Sequence, residues 1–147
     1  MDLKECFRKG MIKKTSFSEG TIISLMHMSN VREQEISKSK ITKTNASIYV
    51  SMAYDCLREV LEAVCISKGY KVLSHICIGE LLKTLIQNFD YDQFDRYRWI
   101  RNSINYYGKM VDFEQGRELV TKMLKMKKEI IETELKQFKD SKVYSDN

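Results

Sequence analysis

Not one proline occurs in 147 residues, and only six positions are glycine. Proline lacks the backbone donor and collides with the preceding helical turn, and glycine adds chain entropy that a helix must remove. A chain nearly free of both can run long helices without forced breaks. Its wealth of Ala, Leu, Met, Glu, Lys and Arg agrees with an all-α fold. The length suits one domain with a real core, and 43% hydrophobic residues is too many for a disordered chain.

The periodicity predicts six helices. A short one over Asp2–Lys13 places Leu3, Phe7 and Met11 on one face. Ser16 or Ser18 caps a second, whose apolar positions Ile22, Leu25, Met26 and Ile36 make a thin stripe suited to an outer, partly exposed helix. From about Asn45, the positions Ile48, Met52, Leu57, Val60, Leu61, Val64 and Cys65 form a wide stripe that ends before Gly69. Ser74 caps a fourth helix that buries Ile78, Leu81, Leu82, Leu85 and Ile86 and ends near Asn88. A fifth runs from about Asp92 to Tyr107 and stops at Gly108. The sixth opens at Asp112, with Gln115 as capping-box partner, and continues to Phe138, leaving Ser141 to Asn147 to fray. Short connections favour an antiparallel bundle of four to six helices. The expected domain is the whole chain, 1–147, with a core over about 45–140 and basic N-terminal helices over 1–43.

Charge is unevenly placed. Residues 1–43 hold nine Lys/Arg against five Asp/Glu, a net of +4, while the remainder holds sixteen against fifteen. Such a field can attract RNA or an acidic partner, or it can be a solvated lysine-rich surface. Cys6, Cys56, Cys65 and Cys77 form no CxxC, and His27 and His75 lack metal-ligand spacing, so no zinc site and no cofactor is expected. Cys56, Cys65 and Cys77 sit among apolar neighbours and read as small buried hydrophobes. The charged N-terminus shows no signal peptide and no apolar run reaches bilayer length, so the expectation is a cytoplasmic protein away from membranes.

The densest chemistry lies in Asp95–Gly108, with three arginines, two asparagines, three tyrosines and the only tryptophan. Projected at about 100° per residue, Arg98, Arg101, Asn102 and Asn105 share one side of the fifth helix. Phe94, Tyr97, Ile100, Ile104 and Tyr107 make the adjoining apolar side. Two guanidiniums and two carboxamides in a stripe can hold an RNA phosphate. The same stripe can simply fix helix register, with Arg101 paired to a carboxylate on a neighbouring helix.

Arg101-Asn102 followed by Tyr106-Tyr107-Gly108, late in a helical chain, resembles the HEPN family. Its signature is an arginine, commonly followed by a polar residue, then four to six residues and a histidine. Lys68-Gly69-Tyr70-Lys71-Val72-Leu73-Ser74-His75 resembles the turn between the second and third core helices of many members. The resemblance spans roughly residues 45–140. It implies a four- to five-helix bundle that forms homodimers, with the two motifs meeting at the interface. Many members are metal-independent ribonucleases in which the arginine holds the phosphate and the histidine acts in acid–base catalysis. Others bind RNA or a protein partner without catalysis, often paired with a small nucleotidyltransferase in toxin–antitoxin-like modules. Carried over, Arg101 is the phosphate-binding arginine and Asn102 its polar neighbour.

Tyr106 stands where the family places histidine. A phenol with pKa about 10 is a poor base at neutral pH beside an imidazole near about 6.5. The resulting expectation is a HEPN-like homodimer that binds RNA or a partner through Arg98, Arg101, Asn102, Asn105 and Tyr107. The alternative is a metal-independent endoribonuclease using Arg101 and Tyr106. His75, which the chain could fold in from a neighbouring helix, reads first as an ordinary helix-start histidine.

Overall fold

The computed structural model describes residues 1–139. They form six α-helices and a two-stranded sheet: α1 (Leu3–Arg8), β1 (Ile12–Lys14), α2 (Glu19–Lys38), α3 (Ala46–Ser67), β2 (Tyr70–Val72), α4 (His75–Leu85), α5 (Tyr91–Tyr107) and α6 (Phe113–Glu134). A single 3₁₀ turn, Lys136–Phe138, follows. The fold is an all-α helical bundle with one small ribbon.

Local signals set most helix ends. Ser18 accepts from the Thr21 N–H, Asp90 from Gln93 and Asp112 from Gln115, so each fills one orphan donor of a first turn. Gly108 closes α5 with φ 64°, a left-handed conformation that a Cβ would strain. Helix α6 stops at Glu134 rather than running on to Phe138, where the tighter turn takes over. The fraying expected of Ser141 to Asn147 falls outside the described residues.

Helix α3 is the centre of the bundle. Val50, Ala53, Tyr54, Leu57, Val60, Leu61 and Val64 are all fully buried on it, with α2 and α6 packed against its length. Helix α5 runs antiparallel to α3, Asn105 meeting Ser51 and Arg101 meeting Asp55. Helix α6 follows α3 in the same sense, with Gly116 against Ala46 at one end and Lys68 paired to Glu134 at the other. The N-terminal segment belongs to the same core, because Cys6, Ile12, Ile22, Met26 and Ile36 are buried within it. Among the described residues, no helix is long and apolar enough to cross a membrane.

Four expectations need correction. The first helix does not reach Lys13: it ends at Arg8, Gly10 takes φ 72°, and Ile12–Lys14 form a strand. That strand pairs antiparallel with Tyr70–Val72, so part of the segment read as a turn is β2. Cys77 is not a free buried thiol but is disulfide-bonded to Cys6, tying α1 to α4; Cys56 and Cys65 are free and buried as anticipated. Ile48, placed on the α3 core stripe, is 61% exposed, because at about 100° per residue it lies on the side of α3 opposite the buried Val50, Leu57 and Val64.

Candidate interaction site on the α3–α5 face

Helix α5 buries Phe94 and Tyr97, half-buries Ile100 and Ile104, and leaves Tyr107 75% exposed. Tyr107 therefore does not extend the apolar side, since it lies on the last turn, beyond the edge of the core. Arg98 and Arg101 keep only 14% and 15% of their side-chain surface and lie between α5 and α3. Arg98 donates from Nε and Nη2 to Asp95 Oδ1, one turn earlier, at 3.1 and 2.9 Å. Asn102 is half-buried, and Asn105 accepts from the Ser51 hydroxyl at 3.0 Å. The polar stripe is thus partly used to dock α5 on α3.

Three α3 residues complete the cluster: Tyr54, Asp55 and Arg58. Arg58 donates to Glu62 at 2.9 Å. Asp55 Oδ1 lies 3.6 Å from Arg58 Nε and 3.8 Å from Arg101 Nη2, close enough for charge attraction but beyond hydrogen-bond length. Arg58 Nε, Arg101 Nε and Asp55 Oδ1 are buried without a hydrogen-bond partner among the described residues. The Arg101 guanidinium sits between two rings, 5.6 Å from the centroid of Tyr54 and 5.9 Å from that of Tyr106. It meets Tyr106 over the ring rather than through the hydroxyl, and Tyr106 is 69% exposed.

Tyr54 links this cluster to α4. Its ring stacks on Phe94 at 5.9 Å, and its hydroxyl lies 3.3 Å from His75 Nδ1. His75 is more than a helix-start residue: α4 delivers it to the group that also carries Arg101. Burial, reinforced by the positive fields of Arg58, Arg101 and Arg98, lowers its pKa to about 4. The imidazole is neutral at physiological pH, and its Nδ1 can accept a hydrogen bond from the Tyr54 hydroxyl. Burial pushes the Tyr54 phenol well above its ordinary range against the pull of Arg101 and Arg58.

Sequence reading found the α5 half of this cluster and missed the α3 half. The signal was present in Tyr54-Asp55 and Arg58, polar groups set one turn apart beside the buried stripe of α3. No protein-family model, curated protein or solved structure matches the chain.

Arg58, Arg98 and Arg101 face Asp55, Asp95 and Glu62, so the cluster is balanced in charge. Arg98 and Arg58 are each held by a carboxylate at 2.9 Å, and Arg101 has only the longer contact to Asp55. Arg101 is consequently the guanidinium best able to take an outside anion. Of the rings beside it, Tyr106 is 69% exposed; Ile48 on α3, Trp99 and Tyr107 on α5 and Met110 after it are also more than 60% exposed. A groove of about 590 Å³ lies on other elements, between α2 and α6, around Met26, Leu124 and Ile131.

Proposed function

We propose that this chain is a cytoplasmic HEPN-like homodimer whose α3–α5 face binds RNA or a protein partner, without strong catalysis. The observation that carries the reading is Arg101, half-committed to Asp55 and lying near the buried Tyr54 ring and the exposed Tyr106 ring. Large apolar side chains left exposed on the two helices that carry a polar cluster favour an interaction surface. A second copy covering Ile48 and Tyr106 would bring two Arg101 side chains toward one cleft, as the family resemblance implies. A small nucleotidyltransferase is the partner that resemblance suggests.

Light scattering during size exclusion at micromolar concentration tests the dimer. Wild type should elute as a dimer, and Ile48→Asp with Tyr106→Asp should elute as a folded monomer. A monomeric wild type refutes the reading. Arg101→Ala should weaken partner or RNA binding while helicity is kept.

One observation favours a second reading, a metal-independent endoribonuclease. His75, neutral and held by Tyr54 beside Arg101, supplies the imidazole that Tyr106 does not. RNA cleavage that persists in chelator, and is lost in Arg101→Ala, would establish it. Parallel assays of Tyr106→Phe and His75→Gln would then name the proton-transfer group.

A further inference from the structure

Helices α2 and α6 both pack along α3, and between them runs the groove of about 590 Å³. That volume falls within the range of small-molecule sites, about 300–1,000 Å³. On α6 the lining residues extend from Thr121 to Glu132, about 16 Å of helix at about 1.5 Å per residue. Spread over that length, the volume is a channel about 6 Å across. Such a channel admits one extended chain and is too narrow for a helix, which with its side chains is about 10 Å in diameter.

The floor of the groove is apolar. Met26 of α2 belongs to the core, and Leu124 and Ile131 of α6 pack against it, partly exposed. Leu124, Lys128 and Ile131 fall at i, i+4 and i+7, so one side of α6 sets a lysine between two apolar residues. Lys125, one turn before Lys128, adds a second cation to the lining.

The charged groups sort into paired and unpaired. Lys127 reaches from α6 to α2, donating to Asn30 at 3.0 Å and pairing with Glu33 at 2.7 Å. Lys139 pairs with Glu132. Both carboxylates of the lining are thus engaged by lysines. Lys125 and Lys128 are exposed and form no ion pair among the described residues. Four lysines against two glutamates leave the lining with a net charge of +2, carried by Lys125 and Lys128.

An apolar channel with unmatched cations on one flank complements a molecule with an aliphatic chain and an anionic head. We propose that the α2–α6 groove binds an unbranched aliphatic carboxylate. Its chain lies on Met26, Leu124 and Ile131, and its carboxylate meets Lys125 and Lys128. The lining residues belong to neither α3 nor α5, so the site holds whether or not the α3–α5 face binds RNA or a partner.

Methyl nuclear magnetic resonance of the full chain, titrated with dodecanoate below its micelle concentration, tests the site. The Met26, Leu124 and Ile131 methyl signals should move together and saturate as a single site. Dodecyltrimethylammonium, with the same chain and the opposite charge, should bind at least about 10-fold more weakly. Acetate, which has the head without the chain, should move none of the three signals. Lys125→Gln with Lys128→Gln should weaken dodecanoate about 5- to 10-fold. Both lysines are exposed, so the melting temperature should hold, which separates lost binding from lost fold. Leu124→Trp, which fills the groove from a partly exposed position, should block dodecanoate while helicity is kept. Equal binding of the two amphiphiles, or equal binding of dodecanoate by wild type and the glutamine pair, overturns the proposal. So do the absence of a saturable site and shifts gathered at Trp99 and Tyr106 instead. Movement of the three signals on dilution of the free protein would give the groove to a second copy. Nuclear Overhauser contacts from residues 140–147 to the Leu124 or Ile131 methyls would give it to the chain's own end, and either result overturns the proposal. Binding to phosphatidylglycerol vesicles without any response to free dodecanoate overturns it too.

Discussion

Acidification should destabilise the protein specifically through His75. The imidazole has its pKa lowered from 6.5 to about 4, first by burial and then by Arg58, Arg101 and Arg98, with Asp55 opposing. The unfolded chain therefore binds a proton near pH 6.5 that the folded chain refuses until about pH 4. Between those values the unfolded state holds more protons, so stability rises with pH across the window. The contribution of the neutral imidazole is complete above pH 6.5 and is lost as pH falls toward 4. At about 1.36 kcal/mol per unit, the difference sets a ceiling of about 3 kcal/mol. His75 is only partly buried, and solvent screening reduces the realised effect to about 1–2 kcal/mol. Protonation also turns Nδ1 from an acceptor into a donor, so Tyr54 must turn its hydroxyl to accept. Urea unfolding of wild type and His75→Gln at pH 7 and near pH 4.5 isolates the term, because the carboxylates titrate in both proteins. Wild type should lose about 1–2 kcal/mol more than the variant. A nuclear magnetic resonance titration that places the His75 midpoint at or above 6.5 would refute the reasoning outright.

Two other perturbations probe what holds the bundle. Lys127 is 2% exposed, donating to Asn30 at 3.0 Å and paired with Glu33 at 2.7 Å across α2 and α6. Lys127→Ala should cost about 2–4 kcal/mol in chemical denaturation, since it opens a cavity and leaves Asn30 and Glu33 unpaired. Lys127→Met, close in volume, should cost less than half as much. Protein purified without reductant should show two reactive thiols on unfolding, Cys56 and Cys65, and four after reduction. Closing a loop of sequence separation 71 stabilises by about 4 kcal/mol in the chain-entropy account, so reduction should lower the melting temperature, and Cys6→Ser with Cys77→Ser should be insensitive to reductant. Four thiols in the oxidised preparation would show that the pair stays reduced.

The parts of the fold that were readable are those whose cause lies within one or two helical turns. Ser18, Asp112 and Gly108 announce helix ends through side chains and φ preferences that act three or four residues away. The α3 stripe from Leu57 to Cys65 and the buried Phe94 and Tyr97 follow from a 3.6-residue period alone. Tyr107 shares that period yet is exposed on the last turn of α5, whereas Ile48 falls on the side of α3 opposite Leu57 and Val64. The strands escaped notice for another reason. Three residues are too few for an alternating pattern to register, and Lys13 reads as helix until Lys71 is beside it.

For the candidate site, the pattern in α5 located Arg98, Arg101, Asn102 and Asn105 on one side of a helix. It allowed a carboxylate partner for Arg101 and a His75 brought in from a neighbouring helix, but it did not name Asp55, Arg58 or Tyr54, which come from α3. Capping, periodicity and helix-compatible composition are local properties, carried by the chain whatever surrounds it. The pairing of Arg101 with Asp55, the depressed pKa of His75, the Cys6–Cys77 bond and the opposed lysines of the ribbon join residues far apart in sequence. They exist only because burying the α3 stripe brings α2, α4, α5 and α6 around a single helix, and the core's demand for dry contact decides which polar groups are left facing one another.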